Sequence, residues 1–355
     1  MLARVLKRLI VFLIGLVSRA RACPPGALAS IAPARTLVVV SDERMGEILL
    51  AGPLIRALAS TFPFSKIDLL LADRYAWIAG RLPGVKEAMP FRKRDFFRHP
   101  LSFIAFIQSL RARGYALAVD GGKDDTFSLT TALLMRASGA QIRLGHRRDV
   151  TPFLTLAVER GPDGLAEAGR RLNLTKAFGE KTFDAALRLN AVSDGRQALI
   201  STLQEARFKV GVYPGARKHD HRVPAKVLSA AVLRLTAKGI GVLVIPGVGD
   251  LDLCRSVAKK GGALLAPIAP GPDLCSLIRT CDLFIANDTG PMHLAVALGV
   301  PTLGLFVRGE AGRWGHSEPP HRAVFVGPTP SPEGPECGAM ADRLARIALD
   351  MLGRS

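Results

Sequence analysis

Asn287-Asp288-Thr289-Gly290-Pro291-Met292-His293 is the stretch on which the reading of this chain turns. An apolar run, Leu283 to Ala286, precedes it and a helix-like segment, Leu294 to Leu298, follows it, so the order is strand, tight turn, helix. Thr289 or Asp288 is suited to cap the helix, Pro291 suits its first turn, and Gly290 lets backbone come close to whatever lies in front. A helix start with open N–H groups and little side-chain bulk attracts an anion such as phosphate. The helix stops at Gly299, and Val300-Pro301-Thr302-Leu303-Gly304-Leu305-Phe306 predicts the next buried strand. An ordinary αβ turn carries the same signal, and on this stretch alone it is the plainer reading.

The rest of the chain supplies the context. With 355 residues, 48% of them hydrophobic, it can bury a large core and divides most simply into two domains. Its 35 Gly and 24 Pro are scattered between apolar segments and read as turns. The five cysteines, Cys23, Cys254, Cys275, Cys281 and Cys337, form no CxxC pair and no metal spacing, which fits a reducing compartment. A net charge of +18 draws in phosphates, nucleic acid or anionic lipid. Aromatic residues make up only 6%, and no basic patch is interleaved with Phe or Tyr, so nucleic acid is not expected as a partner.

Residues 1–34 form a basic and apolar leader: Arg4, Lys7 and Arg8, then nine apolar residues from Leu9 to Val17, then Arg19 and Arg21. That run is too short to span a bilayer. Arginines where cleavage would occur argue against a secretory signal, and a helix lying on the anionic cytoplasmic leaflet fits better.

From Arg35, short apolar runs (Thr36 to Val40, Ile67 to Leu71, Ala116 to Asp120) alternate with helix-like segments (Glu47 to Ser60, Pro100 to Arg113, Phe127 to Ala137). The pattern blurs between Asp149 and Asp194, apart from a helix-like Glu167 to Phe178. It resumes as strands Val210 to Tyr213, Gly241 to Ile245, Ala263 to Leu265 and Leu283 to Ala286, with helices Ala225 to Lys238, Leu251 to Lys260 and Asp273 to Thr280 between them. Such alternation predicts α/β architecture: two Rossmann-like doubly wound domains, residues 35–200 and 201–330, joined near 195–208 and facing across a cleft that holds the site. Residues 331–355 predict an amphipathic helix, with Met340, Leu344, Ile347 and Met351 at helical spacing, that returns to the N-terminal domain.

Two further segments carry candidate chemistry. Gly46-Glu47, just past the first strand, is placed to aim a carboxylate into the cleft, although an acid at a helix start is also favourable for its own sake. Tyr213-Pro214-Gly215-Ala216-Arg217-Lys218-His219-Asp220-His221-Arg222-Val223-Pro224 sets several cations after a strand end, an arrangement suited to a diphosphate and shared with any solvated basic loop.

Together, Val38 to Leu58, Val212 to Pro224 and Asn287 to Phe306 resemble the bacterial heptosyltransferase family, glycosyltransferase family 9, which has the GT-B fold. The most specific part is Asp288-Thr289-Gly290-Pro291-Met292-His293-Leu294-Ala295 followed by Ala297-Leu298-Gly299-Val300-Pro301-Thr302. The resemblance implies inverting transfer of a sugar, typically heptose, from an ADP-sugar to the lipopolysaccharide inner core or a related lipid-linked acceptor, without an obligatory metal or cofactor. It implies that the donor diphosphate lies against Asp288, Thr289 and Gly290, with Pro291, Met292 and His293 in the same pocket. Gly215, Arg217, Lys218 and Arg222 then belong to the donor site. Asp250, with Asp252 second, matches the acid that contacts the nucleotide ribose, and either is equally a surface helix-capping acid. The implied protein is a monomer held peripherally on the cytoplasmic face of the inner membrane.

The sequence departs from the family pattern at the base. Glu47 stands where the family has aspartate, displacing the carboxylate by about 1.5 Å, and a shift near 1 Å costs roughly 10²-fold where geometry is tight. Ser41 stands where a basic residue is usual, and His221-Arg222-Val223-Pro224 replaces Lys-Arg-Trp-Pro. A catalytically degenerate relative that binds a nucleotide-sugar or anionic glycolipid without turnover is therefore the alternative.

Overall fold

The computed structural model describes residues 32–42, 44–94, 98–148, 153–179, 181–190, 209–308, 310–327 and 336–354. Most of the leader (1–31) and the expected junction at 195–208 lie outside the described residues. The chain divides into two units, Met1–Ala186 and Leu187–Ser355, so the second unit begins before the expected boundary at 200.

In the first unit, strands β1 (Arg35–Val40), β2 (Lys66–Ala72), β3 (Glu87–Phe91), β4 (Leu117–Asp120), β5 (Ile142–His146) and β6 (Leu156–Val158) form one sheet in the order β3-β2-β1-β4-β5-β6. Every pairing is parallel, with Val38 opposite Leu69 and Val119. Helices α1 (Met45–Leu50), α2 (Gly52–Thr61), α3 (Ala76–Ala79), α4 (Pro100–Ala112), α5 (Leu129–Ala137) and α6 (Glu167–Leu172) connect or flank them. Leu37 to Val40 are fully buried, as a parallel strand covered on both faces must be. The single helix expected over Glu47 to Ser60 is broken at Ala51, just before α2, which carries Pro53 in its first turn.

The second unit repeats the topology. Strands β7 (Lys209–Tyr213), β8 (Gly241–Val244), β9 (Leu264–Leu265), β10 (Leu283–Asn287), β11 (Thr302–Phe306) and β12 (Arg322–Phe325) order as β12-β11-β10-β7-β8-β9, again all parallel. Its helices are α7 (Ala225–Ala237), α8 (Leu251–Gly261), α9 (Pro272–Arg279), α10 (Gly290–Ala297), α11 (Ala311–Trp314) and α12 (Glu336–Met351). Gly299, at φ 76°, ends α10 as expected, since the left-handed conformation carries no penalty there.

α12 was expected to return to the N-terminal domain; within the second unit its Ala341, Leu344, Ala345, Ala348 and Leu349 pack into the core with Val227, Ala231 and Leu235 of α7. Its small residues allow the close helix approach that closes this core.

Candidate active site

In each sheet the strand order reverses between its first and fourth strands, β1 and β4 or β7 and β10, and ligands of such sheets bind beyond the carboxyl ends at that point. In the second unit β7 and β10 run in register, Tyr213 beside Ala286. Asn287, the last residue of β10, is buried and joins the two loops that follow. Its Nδ2 donates to Pro214 O at 2.7 Å, and its Oδ1 accepts from Val223 N at 3.0 Å. The Pro214-Gly215 turn, the basic loop and the start of α10 are thereby held together.

Thr289 precedes α10 in extended conformation, but its hydroxyl donates to Asn287 O at 3.0 Å and does not cap the helix. The Asp288 carboxylate lies 3.6 Å from His221 Nδ1. Pro291 has no N–H, and the Met292 amide turns back to Thr289 O at 3.1 Å, so Gly290 presents the foremost helical amide.

The basic loop separates by role. Arg217 and Lys218 are exposed and make no ion pair among the described residues. Arg222 is committed: Nε donates to Ala216 O at 2.7 Å and Nη2 to Asp250 Oδ1 at 2.7 Å. Asp250 therefore fixes the loop through Arg222, and any added Cβ at Gly215 would collide with its carboxylate. Asp252 is an exposed surface acid paired with Arg255 at 2.7 Å.

His293 is buried, and its Nδ1 lies 2.8 Å from His316 Nε2. His321 extends the row, its ring 6.5 Å from that of His316. Burial, with His321 adding to it, pushes His316 down to about 4, and burial lowers His321 as well. Neutral His316 can thus accept from or donate to His293 at neutral pH, fixing its ring orientation. Nothing in the sequence pattern singled out His316 or His321.

In the first unit, Glu47 sits on α1 and is buried; only 4% of it is exposed. Arg171 of α6, wholly buried, binds Glu47 Oε2 through Nη2 and the Glu47 carbonyl at 2.6 Å through Nη1. The same guanidinium reaches Gly121 O at 3.0 Å, beyond β4, and Glu167 Oε1 at 3.1 Å. Lys123 Nζ lies 3.2 Å from Glu47 Oε1 and Arg44 lies 3.8 Å from it. Burial alone would raise the Glu47 carboxyl, but the charges of Arg171 and Lys123 outweigh it and hold the group below its ordinary 4.5. Ser41 has its hydroxyl 2.6 Å from that of Thr131 on α5. Lys123 and Arg171 were not among the sequence candidates; Arg171 left only one trace, a charge inside a helix-like segment.

A family model for glycosyltransferase family 9 (heptosyltransferase) matches residues 103–335, more than half of the chain. This protein belongs to glycosyltransferase family 9. This family 9 glycosyltransferase is 26% identical over 283 residues to lipopolysaccharide heptosyltransferase 3 of Escherichia coli K12, covering 74% of this chain and 79% of that one. Its fold matches that of a family 9 glycosyltransferase from Veillonella parvula, with a TM-score of 0.72 at 18% identity, covering 91% of this chain and 98% of that one. It also matches E. coli heptosyltransferase WaaC, solved with ADP, with a TM-score of 0.71 at 16% identity over 89% of this chain and 99% of that one. The glycosyltransferase thus has the GT-B fold expected from its sequence. Among its described residues no helix is long and apolar enough to cross a membrane.

Proposed function

We propose that this glycosyltransferase transfers heptose from ADP-heptose, with inversion and without an obligatory metal, to the lipopolysaccharide inner core or a related anionic lipid-linked saccharide. The observation that carries this reading is the pair of hydrogen bonds by which Asn287 gathers the Pro214-Gly215 turn, the basic loop and the α10 start at one strand-order reversal. The relatives named for lipopolysaccharide heptosyltransfer and solved with ADP support the same donor and acceptor classes.

In this reading the diphosphate lies against Asp288, Thr289 and Gly290, with Pro291, Met292 and His293 lining the pocket and Gly215 giving backbone room. Arg217 and Lys218 stabilise the departing diphosphate. Arg222 and Asp250 act indirectly, by shaping the loop. Glu47 takes the acceptor proton through Oε1, because Oε2 is committed to Arg171. Its lowered pKa keeps it ionised yet makes it a weak base, and Lys123 must release Oε1 when the acceptor hydroxyl arrives. The enzyme works as a monomer, peripherally on the cytoplasmic face of the inner membrane.

Calorimetric titration with ADP tests the donor half: wild type binds, and replacing Arg217 and Lys218 together with alanine weakens binding at least tenfold. Absence of ADP binding by the wild type would overturn the reading. The ion pairs around Glu47 favour a second reading, a relative that binds a nucleotide-sugar or anionic glycolipid without turnover. Glu47→Ala separates the two, since only an enzyme has a transfer rate to lose.

A further inference from the structure

Helix α4, Pro100–Ala112, buries one face and leaves another without cover. Phe103, Phe106, Ile107 and Leu110, at helical spacing, join a core with Leu37, Val39, Met89 and Phe91. Leu101 and Ile104 point the other way and are 81% and 51% exposed, with Ala105 exposed beside them. Large apolar side chains on successive turns of an outer helix face gain nothing from water.

Of the five charged residues from Arg92 to Arg98 four are basic, and Asp95 is the one acid. Lys93, Arg94 and Arg98 are exposed and have no carboxylate partner among the described residues, while neighbouring Arg92 is paired with Asp73 at 2.5 Å. No acid occurs between Arg98 and Arg113. Because β3 is parallel to its neighbours and ends at Phe91, this basic segment and the first turns of α4 lie at the carboxyl edge of the sheet, the edge that carries Glu47, Gly121 and Lys123.

We propose that Leu101 and Ile104, together with the exposed cations Lys93, Arg94 and Arg98 that precede them in the chain, dock this unit on an anionic phospholipid bilayer, independently of the leader. The charge decides the occupant: apolar side chains preceded by exposed cations suit a surface with acyl chains below and phosphates above. A lipid-linked acceptor would then meet the Glu47 edge at the membrane surface, and in this the inference rests on the reading of the acceptor given above.

The test is sedimentation of the full chain with vesicles of phosphatidylglycerol and phosphatidylcholine, against vesicles of phosphatidylcholine alone. Leu101→Ser with Ile104→Ser should weaken binding to the anionic vesicles about tenfold, and glutamate at Lys93, Arg94 and Arg98 roughly a hundredfold. Both variants alter exposed side chains and should keep wild-type ADP affinity, which also reports that they fold. Wild-type vesicle binding in both variants, or equal binding to the two vesicle types by the wild type, would overturn the proposal. Failure of sugar transfer with vesicle binding lost as described would count against the acceptor reading and leave the docking surface standing.

Discussion

Asn287 Nδ2 donates to Pro214 O at 2.7 Å while its Oδ1 accepts from Val223 N at 3.0 Å, so one side chain ties the Pro214-Gly215 turn and the end of the basic loop to the last residue of β10. Asn287→Ala leaves a buried carbonyl and a buried amide without partners and should cost about 1–3 kcal/mol in denaturant unfolding. Asn287→Asp keeps the acceptor for Val223 but loses the donor to Pro214. Both should weaken ADP binding, and wild-type affinity in Asn287→Ala would show that the loops hold themselves.

Gly215 has the Asp250 carboxylate and the Tyr213 ring against the place where a side chain would be. Gly215→Ala should push Asp250 off Arg222 and loosen the loop. Calorimetry should show ADP affinity falling by an order of magnitude or more with a smaller change in stability.

Arg171 and Glu47 form a buried pair, and removing one partner strands the other. Arg171→Met should cost about 3–5 kcal/mol in chemical unfolding. Glu47→Asp restores the family residue, but its shorter side chain draws away from Arg171, so the melting temperature should fall without a gain in transfer rate.

Since the folded Glu47 carboxyl lies below 4.5, the group stays ionised as pH drops through that value. Its contribution to stability is present above the unfolded pKa and is lost only as pH falls through the folded one. The acid limb of the transfer rate that reports Glu47 should therefore lie below pH 4.5; a limb at or above that value would separate Glu47 from the proton transfer.

His316 and His146, both held near 4 chiefly by burial, behave alike. Each is neutral when folded and more basic when unfolded, so stability present above about pH 6.5 should be lost as pH falls toward 4. Each adds up to about 1.4 kcal/mol per pH unit of slope in that window. His316→Phe should flatten the acid slope of the unfolding free energy by about one proton.

The second unit was nearly all legible because its inner strands are covered on both faces and read as unbroken apolar runs. β3, β5, β6 and β12 were missed: Glu87-Ala88-Met89-Pro90-Phe91, Leu156-Ala157-Val158 and Arg322-Ala323-Val324-Phe325 are edge strands that are short or have exposed or interrupted patterns, and β5 buries Arg143 and His146, which break its apolar run. The amphipathic pattern of α12 showed that one face is buried, but periodicity does not say against what. At the site, Asp288 to His293 could be read because turn and helix chemistry is local. The partner of Glu47 could not, since Arg171 lies 124 residues away and only the fold brings it there. His316 reaches His293 across 23 residues in the same way.

The most direct measurement is transfer of radiolabelled heptose from its ADP donor to a truncated lipopolysaccharide core. Labelled product from the wild type, lost in Glu47→Ala while ADP still binds, is the result this account predicts. No transfer by the wild type from ADP-heptose or any other nucleotide-sugar, with no ADP binding, would contradict it.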